Sequence, residues 1–330
     1  MRVLIADKFE SEGIDGLKAL GCKVRSEPEA GPDTLPDLLA DFDPEVLIVR
    51  STKVPAPVIN AGGSLKLIIR AGAGYDNIDT NAAADRGVAV CNCPGMNAAA
   101  VAELTIGLLV ACDRRIGDQT AQARAGKWNK KEFSAARGLK GRTLAIIGVG
   151  AIGQEVIQRA KAFDMRIVVW SRRMSVERAD ELGVVSGGST REDLLKLAAE
   201  ADAVSVHVAA TNDTKNLIDA EFLARMKPGA IFINTSRGSV VDQDALCKAA
   251  AEKPLRVGLD VYADQPADKA CDWTSTAAKI PWAVLTHHCG ASTDQAQLAV
   301  AEETVRIVSE FMKNGSTPNL VNEPRAAAAR

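Results

Sequence analysis

Two adjacent histidines are the first candidates for chemistry in this chain, which has three histidines in 330 residues. His287 and His288 lie side by side in the stretch LTHHCGAST. The unperturbed pKa of histidine lies closest to neutral pH among the side chains, so a histidine can accept and donate a proton under working conditions. The third, His207, lies in the apolar run AVSVHV, which is typical of a buried strand. The pair therefore predicts a site of proton transfer, which needs a partner side chain elsewhere.

A glycine-rich turn provides a second candidate site. Gly148, Gly150 and Gly153 have the spacing G-x-G-x-x-G, after a predicted strand and at the start of a predicted helix. In dinucleotide-binding turns the first glycine permits the tight turn, the second lets the pyrophosphate approach, and the third lets helix and strand pack closely. Ala151 and Ile152 would begin the helix, whose free N–H groups favour phosphate. The spacing therefore predicts a dinucleotide site.

The residues after the next predicted strand bear on the choice of dinucleotide. NAD sites usually have Asp or Glu about 20 residues after the glycine turn, where the carboxylate binds the ribose hydroxyls. This chain has Ser171, Arg172 and Arg173 there, and two guanidiniums can bind a 2′-phosphate. We therefore expect NADP(H) to be preferred over NAD(H). The alternative is two solvated arginines and a relaxed choice of cofactor.

Short β-branched runs alternate with helical segments through most of the chain. The predicted strands are 2–6, 45–50, 65–70 and 88–92, followed by 143–149, 166–171, 203–208, 230–236, 256–262 and 283–288. Their continuous apolar character is typical of parallel strands that helices cover on both faces. The pattern predicts an α/β protein with doubly wound parallel sheets.

The spacing of the elements predicts two domains, as the length of the chain also favours. Four strands precede a break near residue 98 and six follow it, and residues 97–126 are predicted as one long helix. The last helical pattern, 294–315, follows the sixth strand of the second set. We expect it to return to the first domain, which would then be discontinuous in sequence.

The composition excludes several classes of function. The charged fraction is 25% and the formal net charge is −2, which gives no reason to expect binding to nucleic acid or to an anionic membrane. The N-terminus lacks a signal-peptide pattern, and no apolar segment approaches the roughly 20 residues of a membrane span. The seven cysteines lack metal-ligand spacing, which favours free thiols and no metal site. We expect a soluble, cytoplasmic protein.

Eight sequence motifs cover nearly the whole chain in order. They are VRSTKV (49–54), RAGAGYDNID (70–79), NCPGMNAAAVAEL (92–104), GKWNKKEF (126–133), IGVGAIG (147–153), KPGAIFINTSRGSVVD (227–242), GLDVY (258–262) and HHCGAST (287–293). Together they resemble the D-2-hydroxyacid dehydrogenase family, and most of all its D-3-phosphoglycerate dehydrogenase branch.

The resemblance implies a Rossmann dinucleotide-binding domain inserted in a flavodoxin-like substrate domain. Residues 1–98 and 290–330 would form the substrate-binding domain, and residues 99–289 would bind NAD or NADP. The family is usually dimeric through its cofactor domain, so we expect a homodimer. The regulatory domains that often follow in the phosphoglycerate branch are not expected, because the chain ends too soon for one.

The resemblance also assigns three catalytic roles. Arg237 would bind the substrate carboxylate and polarise the keto oxygen, and His288 would transfer the hydroxyl proton, with His287 in the place of a family proline. The family has a glutamate that holds the histidine, but the stretch DVYADQP has Gln265 at that position. An amide cannot stabilise the imidazolium as a carboxylate does, so we expect a lower pKa for His288 than in members with glutamate.

Further residues are assigned to binding by the same resemblance. The cofactor site would also contain Thr235, Ser236, Asp260 and Gly290. The substrate site would contain Arg50, Ala73, Gly74 and Asn97, together with Arg237 and His288. Arg50 would face a substrate phosphate, and the N–H groups of Ala73 and Gly74 would form an anion nest. The basic stretch with Lys127, Lys130 and Lys131 would either reach a phosphate across a dimer or form a solvated surface.

These assignments predict an NAD(P)-dependent oxidoreductase of D-2-hydroxy acids. The favoured reaction is that of D-3-phosphoglycerate dehydrogenase, from 3-phosphoglycerate to 3-phosphohydroxypyruvate in serine biosynthesis. The alternative enzyme is a glyoxylate/hydroxypyruvate reductase. Formate dehydrogenases also have glutamine at the position of Gln265, but the N-terminal motifs argue against them. Outside enzymes, the alternative is a dinucleotide-sensing corepressor-like protein, against which the presence of Arg237 and His288 argues.

Overall fold

The computed structural model describes residues 1–266 and 270–325, which divide into two compact units. Of the described residues, the first unit contains 1–97 and 292–325, and the second contains 98–266 and 270–291. Each unit has a parallel sheet with hydrophobic cores against it. The predicted division of roles, with substrate binding in one domain and dinucleotide binding in the other, remains a prediction.

The sheet of the first unit has five parallel strands in the order β2-β1-β3-β4-β5. The strands are β1 (Arg2–Ile5), β2 (Lys23–Ser26), β3 (Val46–Val49), β4 (Leu67–Arg70) and β5 (Ala89–Asn92). The helices are α1 (Ser11–Ala19), α2 (Leu35–Phe42), α3 (Ala56–Ala61), α4 (Thr80–Asp85) and, from the end of the chain, α12 (Asp294–Asn314). β3 is buried throughout because helices cover both faces of the sheet. The strand order is that of flavodoxin-like sheets.

The sheet of the second unit has seven parallel strands in the order β12-β11-β10-β9-β6-β7-β8. The strands are β6 (Thr143–Ile147), β7 (Arg166–Trp170), β8 (Val185–Ser186), β9 (Ala203–Val206), β10 (Ile231–Asn234), β11 (Arg256–Leu259) and β12 (Val284–Leu285). The helices are α5 (Ala98–Arg114), α6 (Ile116–Arg124), α7 (Ala151–Lys161), α8 (Val176–Leu182), α9 (Arg191–Glu200), α10 (Ala220–Arg225) and α11 (Gln243–Glu252). The order reverses between β6 and β9, which opens a crevice at the carboxyl ends of these strands.

The predicted fold class, two doubly wound parallel sheets, is confirmed. The structure adds β2 and β8, which the sequence pattern does not predict. The residues of β2 are exposed or half-buried and β8 has two residues, so neither has the apolar run that identifies a buried strand. β10 ends at Asn234 and β11 at Leu259, earlier than predicted. Thr235, Ser236 and Asp260 therefore lie in the loops at the edge of the sheet.

The prediction of one long helix over residues 97–126 is wrong. The helix breaks at Arg115, whose backbone is left-handed with a φ of 52° and which separates α5 from α6. The side chain of Arg115 explains the break, because its guanidinium bonds to Asp118 and Glu132 and lies over the rings of Phe133 and Trp282. These contacts offset the cost of leaving the helical conformation.

Candidate active site

The glycine turn after β6 has the shape of a dinucleotide cradle. Gly148 has a φ of +99°, and a Cβ there would lie 2.7 Å from the carbonyl oxygen of His207. A Cβ at Gly153 would lie 2.3 Å from the carbonyl oxygen of Gly148, so only glycine lets α7 pack against the turn. Gly150 faces open space, and no side chain caps the N-terminus of α7 at Ala151. The free N–H groups there fit a pyrophosphate.

The segment after β7 contains the predicted cofactor-specificity residues. Ser171 Oγ accepts a hydrogen bond from the N–H of Arg173 at 3.5 Å. Arg172 Nη1 lies 2.8 Å from Asp213 Oδ2, with exposed fractions of 59% and 74% for the two side chains. Asp213, in the short 3₁₀ helix Asn212–Thr214, was not predicted, because it follows Arg172 by 41 residues and only the fold joins them. Arg172 therefore has a carboxylate partner beside the predicted phosphate site.

His288 lies in a strained turn that Asp260 stabilises. Its backbone is left-handed with a φ of 51°, which costs a non-glycine residue on the order of 1–3 kcal/mol. The buried carboxylate of Asp260 accepts hydrogen bonds from the Thr286 hydroxyl at 2.6 Å and from the N–H groups of Cys289 and Gly290, both at 2.9 Å. The carbonyl oxygen of Asp260 accepts the N–H of His288 at 2.8 Å. The geometry gives Asp260 a positioning role, and its cofactor contact remains a prediction.

The amide of Gln265 lies against the ring of His288. The distance from Gln265 Nε2 to His288 Nδ1 is 2.7 Å. The neighbouring acid, Asp264, turns away, because its carboxylate accepts the Ser275 hydroxyl at 3.0 Å. His287 is exposed, and its side chain forms no hydrogen bond within residues 1–266 and 270–325. The structure thus brings a predicted partner to His288 but not to His287.

Arg237 lies in a loop after β10 that Asn234 shapes. Asn234 Oδ1 accepts the N–H and the hydroxyl of Ser236 at 3.0 and 2.7 Å, and its Nδ2 donates to the carbonyl of Arg237 at 3.0 Å. A Cβ at Gly238 would lie 2.0 Å from the carbonyl oxygen of Tyr262, so the loop packs directly on the segment after β11. Asn234 and Gly238 were not predicted as functional, although both lie within the motif that contains Arg237.

The three predicted catalytic residues follow neighbouring strands. Arg237 comes after β10, Gln265 after β11 and His288 after β12, and these strands are adjacent in the sheet. Since parallel strands end at the same edge, the loops that contain these residues share one edge. The Thr235 hydroxyl lies 2.9 Å from the Thr105 hydroxyl, so the oxygen of this predicted cofactor residue already has a protein partner.

In the first unit, Arg50 is held at its backbone and at its guanidinium. The buried carboxylate of Asp7 accepts the N–H groups of Arg50, Ser51 and Thr52, at 2.7, 3.1 and 3.1 Å, and the Ser51 hydroxyl at 2.9 Å. Arg50 Nη1 donates to Gln297 Oε1 at 2.6 Å. Asp7 and Gln297 were not predicted, because they are 43 and 247 residues from Arg50 in sequence.

The turn after β4 leaves two backbone donors open. The N–H groups of Ala73 and Gly74 form no hydrogen bond within the part of the chain that the structure describes. The carbonyl oxygen of Ala73 accepts the amide of Asn92 at 2.6 Å, and Gly72 has a φ of +147°. The Oδ1 atom of Asn97 is buried without a hydrogen-bond partner among the described residues. Both features fit the predicted contacts with an anionic or polar ligand.

His207 is half-buried, and its ring Nε2 lies 2.8 Å from the Ser205 hydroxyl. Burial lowers the pKa of His207 to about 3, so the ring is neutral at neutral pH. His207 is therefore not a candidate for proton transfer near neutral pH.

The predicted basic stretch is exposed. Lys127, Lys130 and Lys131 form no ion pair within the described residues, and Trp128 is 88% exposed.

Among the described residues, no group of three or more His, Cys, Asp or Glu side chains is arranged to hold a metal ion. No helix there has both the length and the apolar character that a membrane span requires.

Comparison with known proteins identifies similar chains. Residues 106–290 match a family model described as D-isomer specific 2-hydroxyacid dehydrogenase, NAD binding domain. The chain is 35% identical over 326 residues to the D-3-phosphoglycerate dehydrogenase of Methanocaldococcus jannaschii, covering 98% of this chain and 60% of that protein. It is 36% identical over 331 residues to the glyoxylate reductase of Thermococcus litoralis, covering 98% and 97%.

Among solved structures, the fold resembles the NADPH-dependent glyoxylate/hydroxypyruvate reductase of Sinorhizobium meliloti in complex with NADP and malonate. The TM-score is 0.83 at 26% sequence identity, covering 100% of this chain and 99% of that one. The chain spans 56–60% of the length of the phosphoglycerate dehydrogenases that it matches.

Proposed function

The chain belongs to the D-2-hydroxyacid dehydrogenase family, and we propose that it transfers hydride between NAD(P) and a D-2-hydroxy acid. The observation that carries this proposal is the contact of Gln265 with His288 at the sheet edge where Arg237 follows an adjacent strand. The glycine turn and the N-terminus of α7 would hold the dinucleotide. When bound, its nicotinamide supplies the carbon that accepts or releases hydride.

Arg237 would bind the substrate carboxylate, and His288 would transfer the proton. The guanidinium of Arg237 suits a planar carboxylate bidentately and stays charged at any working pH. His288 Nε2 is the proton-transfer atom, because Nδ1 faces Gln265. A neutral ring accepts the hydroxyl proton during oxidation, and a protonated ring donates it during reduction.

Gln265 can serve His288 in either protonation state by turning its amide. With the amide nitrogen facing Nδ1, Nδ1 has to accept, so the proton of a neutral ring lies on Nε2. Acceptance of a substrate proton at Nε2 needs the other tautomer, for which the amide presents Oε1 to Nδ1–H. A carboxylate only accepts, and it also adds a negative charge that stabilises the imidazolium. We therefore expect protonated His288 to be less stabilised here than beside a glutamate.

The replacement Gln265→Glu tests this proposal. Reduction needs protonated His288, so its rate falls as pH rises through the titration of the ring. In the variant, His288 should stay protonated to a higher pH. The pH at which the rate of reduction falls should therefore rise by about one unit or more. The measurement is kcat/KM for reduction as a function of pH.

Asp264→Asn is the matched control, because Asp264 is adjacent but bonds to Ser275. It should leave the pH limit where it is in the wild type. Identical profiles for the wild type and Gln265→Glu would contradict the role of Gln265. If the wild type turned over no 2-hydroxy acid with either cofactor, a dinucleotide-sensing binding protein would be favoured instead.

We propose 3-phosphoglycerate and 3-phosphohydroxypyruvate as the substrate pair, with a role in serine biosynthesis. The guanidinium of Arg50 and the open N–H groups of Ala73 and Gly74 support an anionic substrate. A glyoxylate/hydroxypyruvate reductase is the second candidate, which the Thermococcus litoralis relative supports. The test is a panel of 3-phosphoglycerate, glycerate, glyoxylate and hydroxypyruvate with both cofactors. Equal kcat/KM for phosphorylated and plain substrates would contradict the phosphoglycerate assignment.

We propose NADP(H) as the preferred cofactor. The absence of an acid at Ser171 and the two guanidiniums of Arg172 and Arg173 support this choice. The contact of Arg172 with Asp213 is an exposed ion pair, which is worth about 1 kcal/mol or less and can open for a phosphate. The measurement is kcat/KM for NADPH and NADH, and a strong preference for NADH would contradict it.

We also propose a cytoplasmic homodimer. All seven cysteines are free thiols, which fits a reducing compartment. α6 has no buried residue and Trp128 is largely exposed, which suits a surface that a second copy covers. Light scattering after size exclusion would measure the mass in solution, and a monomer at all concentrations would contradict the dimer.

A further inference from the structure

Arg50 has a neutral partner. Its Nη1 donates to the amide oxygen of Gln297 at 2.6 Å, and both side chains are half-buried. No carboxylate in residues 1–266 and 270–325 forms an ion pair with the Arg50 guanidinium. The carboxylate of Asp7 is already engaged by four backbone and hydroxyl donors. Arg50 is thus oriented while its positive charge stays uncompensated by a direct partner.

The position of Gln297 makes the neutral partner informative. Gln297 is in the first turn of α12, where the helix dipole favours an acidic side chain. Glutamate has the same length and would also accept from Arg50, so neither the helix nor the orientation of Arg50 requires an amide. A carboxylate would differ in one respect, because it would neutralise the guanidinium and weaken its attraction for a second anion.

We propose that Gln297 is a positioning residue that selects phosphorylated 2-hydroxy acids, because it holds Arg50 in place and leaves its charge available for the substrate phosphate. The inference rests on the proposed function of the chain as a dehydrogenase of such acids. It adds a second determinant of substrate class, which acts through Arg50.

The test compares the wild type with Gln297→Glu and Gln297→Ala on two substrates that differ only by the phosphate, 3-phosphohydroxypyruvate and hydroxypyruvate. Gln297→Glu should raise KM for the phosphorylated substrate about tenfold or more, because it pairs Arg50 with a carboxylate. Gln297→Ala loses orientation but keeps the charge, so KM should rise about threefold. For both variants, kcat and the KM for hydroxypyruvate should stay within about twofold of the wild type.

Gln295→Glu is the matched control, because it adds the same charge in the same turn of α12 at an exposed position that does not contact Arg50. It should change KM for the phosphorylated substrate less than twofold, by roughly the amount expected of a screened surface charge. Thermal unfolding of each variant checks that the fold is retained.

The outcomes distinguish a failure of the role of Gln297 from a failure of the proposed function. Suppose that the wild type prefers the phosphorylated substrate. If Gln297→Glu then leaves the KM for that substrate unchanged, or if Gln297→Ala raises this KM as much as Gln297→Glu does, the role of Gln297 is overturned and the proposed function stands. If Gln295→Glu acts as strongly as Gln297→Glu, the effect is long-range charge and the role of Gln297 is again overturned. If the wild type does not distinguish the two substrates, the phosphoglycerate assignment fails and the inference fails with it.

Discussion

Two arginines of this chain, one in each unit, are held by different chemistry. Arg50 donates to the neutral amide of Gln297 and is half-buried. Arg172 pairs with the carboxylate of Asp213 in an exposed contact. The amide orients a guanidinium and leaves its charge intact, whereas the carboxylate orients and neutralises it. We therefore expect Arg50 to be the stronger anion-binding group of the two, although both have a side-chain partner.

The largest expected effect is that of Arg50→Gln. If the uncompensated charge of Arg50 binds a substrate phosphate, its removal should lower kcat/KM for 3-phosphohydroxypyruvate about 100-fold, which corresponds to roughly 2.7 kcal/mol. The value for hydroxypyruvate should change less than about threefold. Steady-state kinetics with both substrates measures the difference.

Lys53→Gln is the control for this prediction, because Lys53 is an exposed cation three residues away. It should leave the ratio of the two kcat/KM values nearly unchanged. An equal loss on both substrates in Arg50→Gln would mean that Arg50 does not recognise the phosphate.

The next effect concerns the support of Arg50 rather than its charge. Asp7→Asn removes the negative charge that accepts four hydrogen bonds and places an amide nitrogen against the Ser51 hydroxyl, while one oxygen can still accept the three N–H groups. The free energy of unfolding should fall by about 1–3 kcal/mol. Urea unfolding measures it, with Asp33→Asn as an exposed control that should change it by about 0.5 kcal/mol or less. An unchanged stability would show that the Asp7 contacts do not fix this loop.

The smallest effect is expected on the other side of the comparison, at Arg172. Asp213→Asn removes the competing carboxylate, so kcat/KM for NADPH should rise about three- to fivefold while that for NADH stays within about twofold. Added salt should shrink the difference from the wild type, because it screens the exposed pair. Glu181→Gln, which breaks another exposed pair with Arg178, is the control. Equal rises for both cofactors would mean that Asp213 does not affect recognition of the 2′-phosphate.

The sequence predicts those features that depend on residues close together in the chain. The spacing of Gly148, Gly150 and Gly153 and the apolar strands around it are contiguous features, and the fold class they predicted is confirmed. The break at Arg115 was missed because it depends on contacts with Phe133 and Trp282, which no helical periodicity reveals.

The partners of the predicted site residues were missed for the same physical reason. Gln297 reaches Arg50 from 247 residues away and Asp213 reaches Arg172 from 41. Neither residue reveals its partner from its place in the sequence, since Gln297 is in the first turn of a helix and Asp213 is in a short polar 3₁₀ helix. Pairs of this kind become visible only when the tertiary contacts are known.

The left-handed backbone of His288 places the stability of the fold in conflict with the proposed role of this residue in turnover. Replacement of His288 by glycine or asparagine would relieve local strain while the anchoring carboxylate of Asp260 stayed in place. Such a substitution would make the protein more heat-resistant and, if His288 transfers the proton as proposed, would remove the proton-transfer atom at the same time. Directed evolution that selects on melting temperature alone would therefore drift toward inert variants at this position, and a useful screen has to select for product as well.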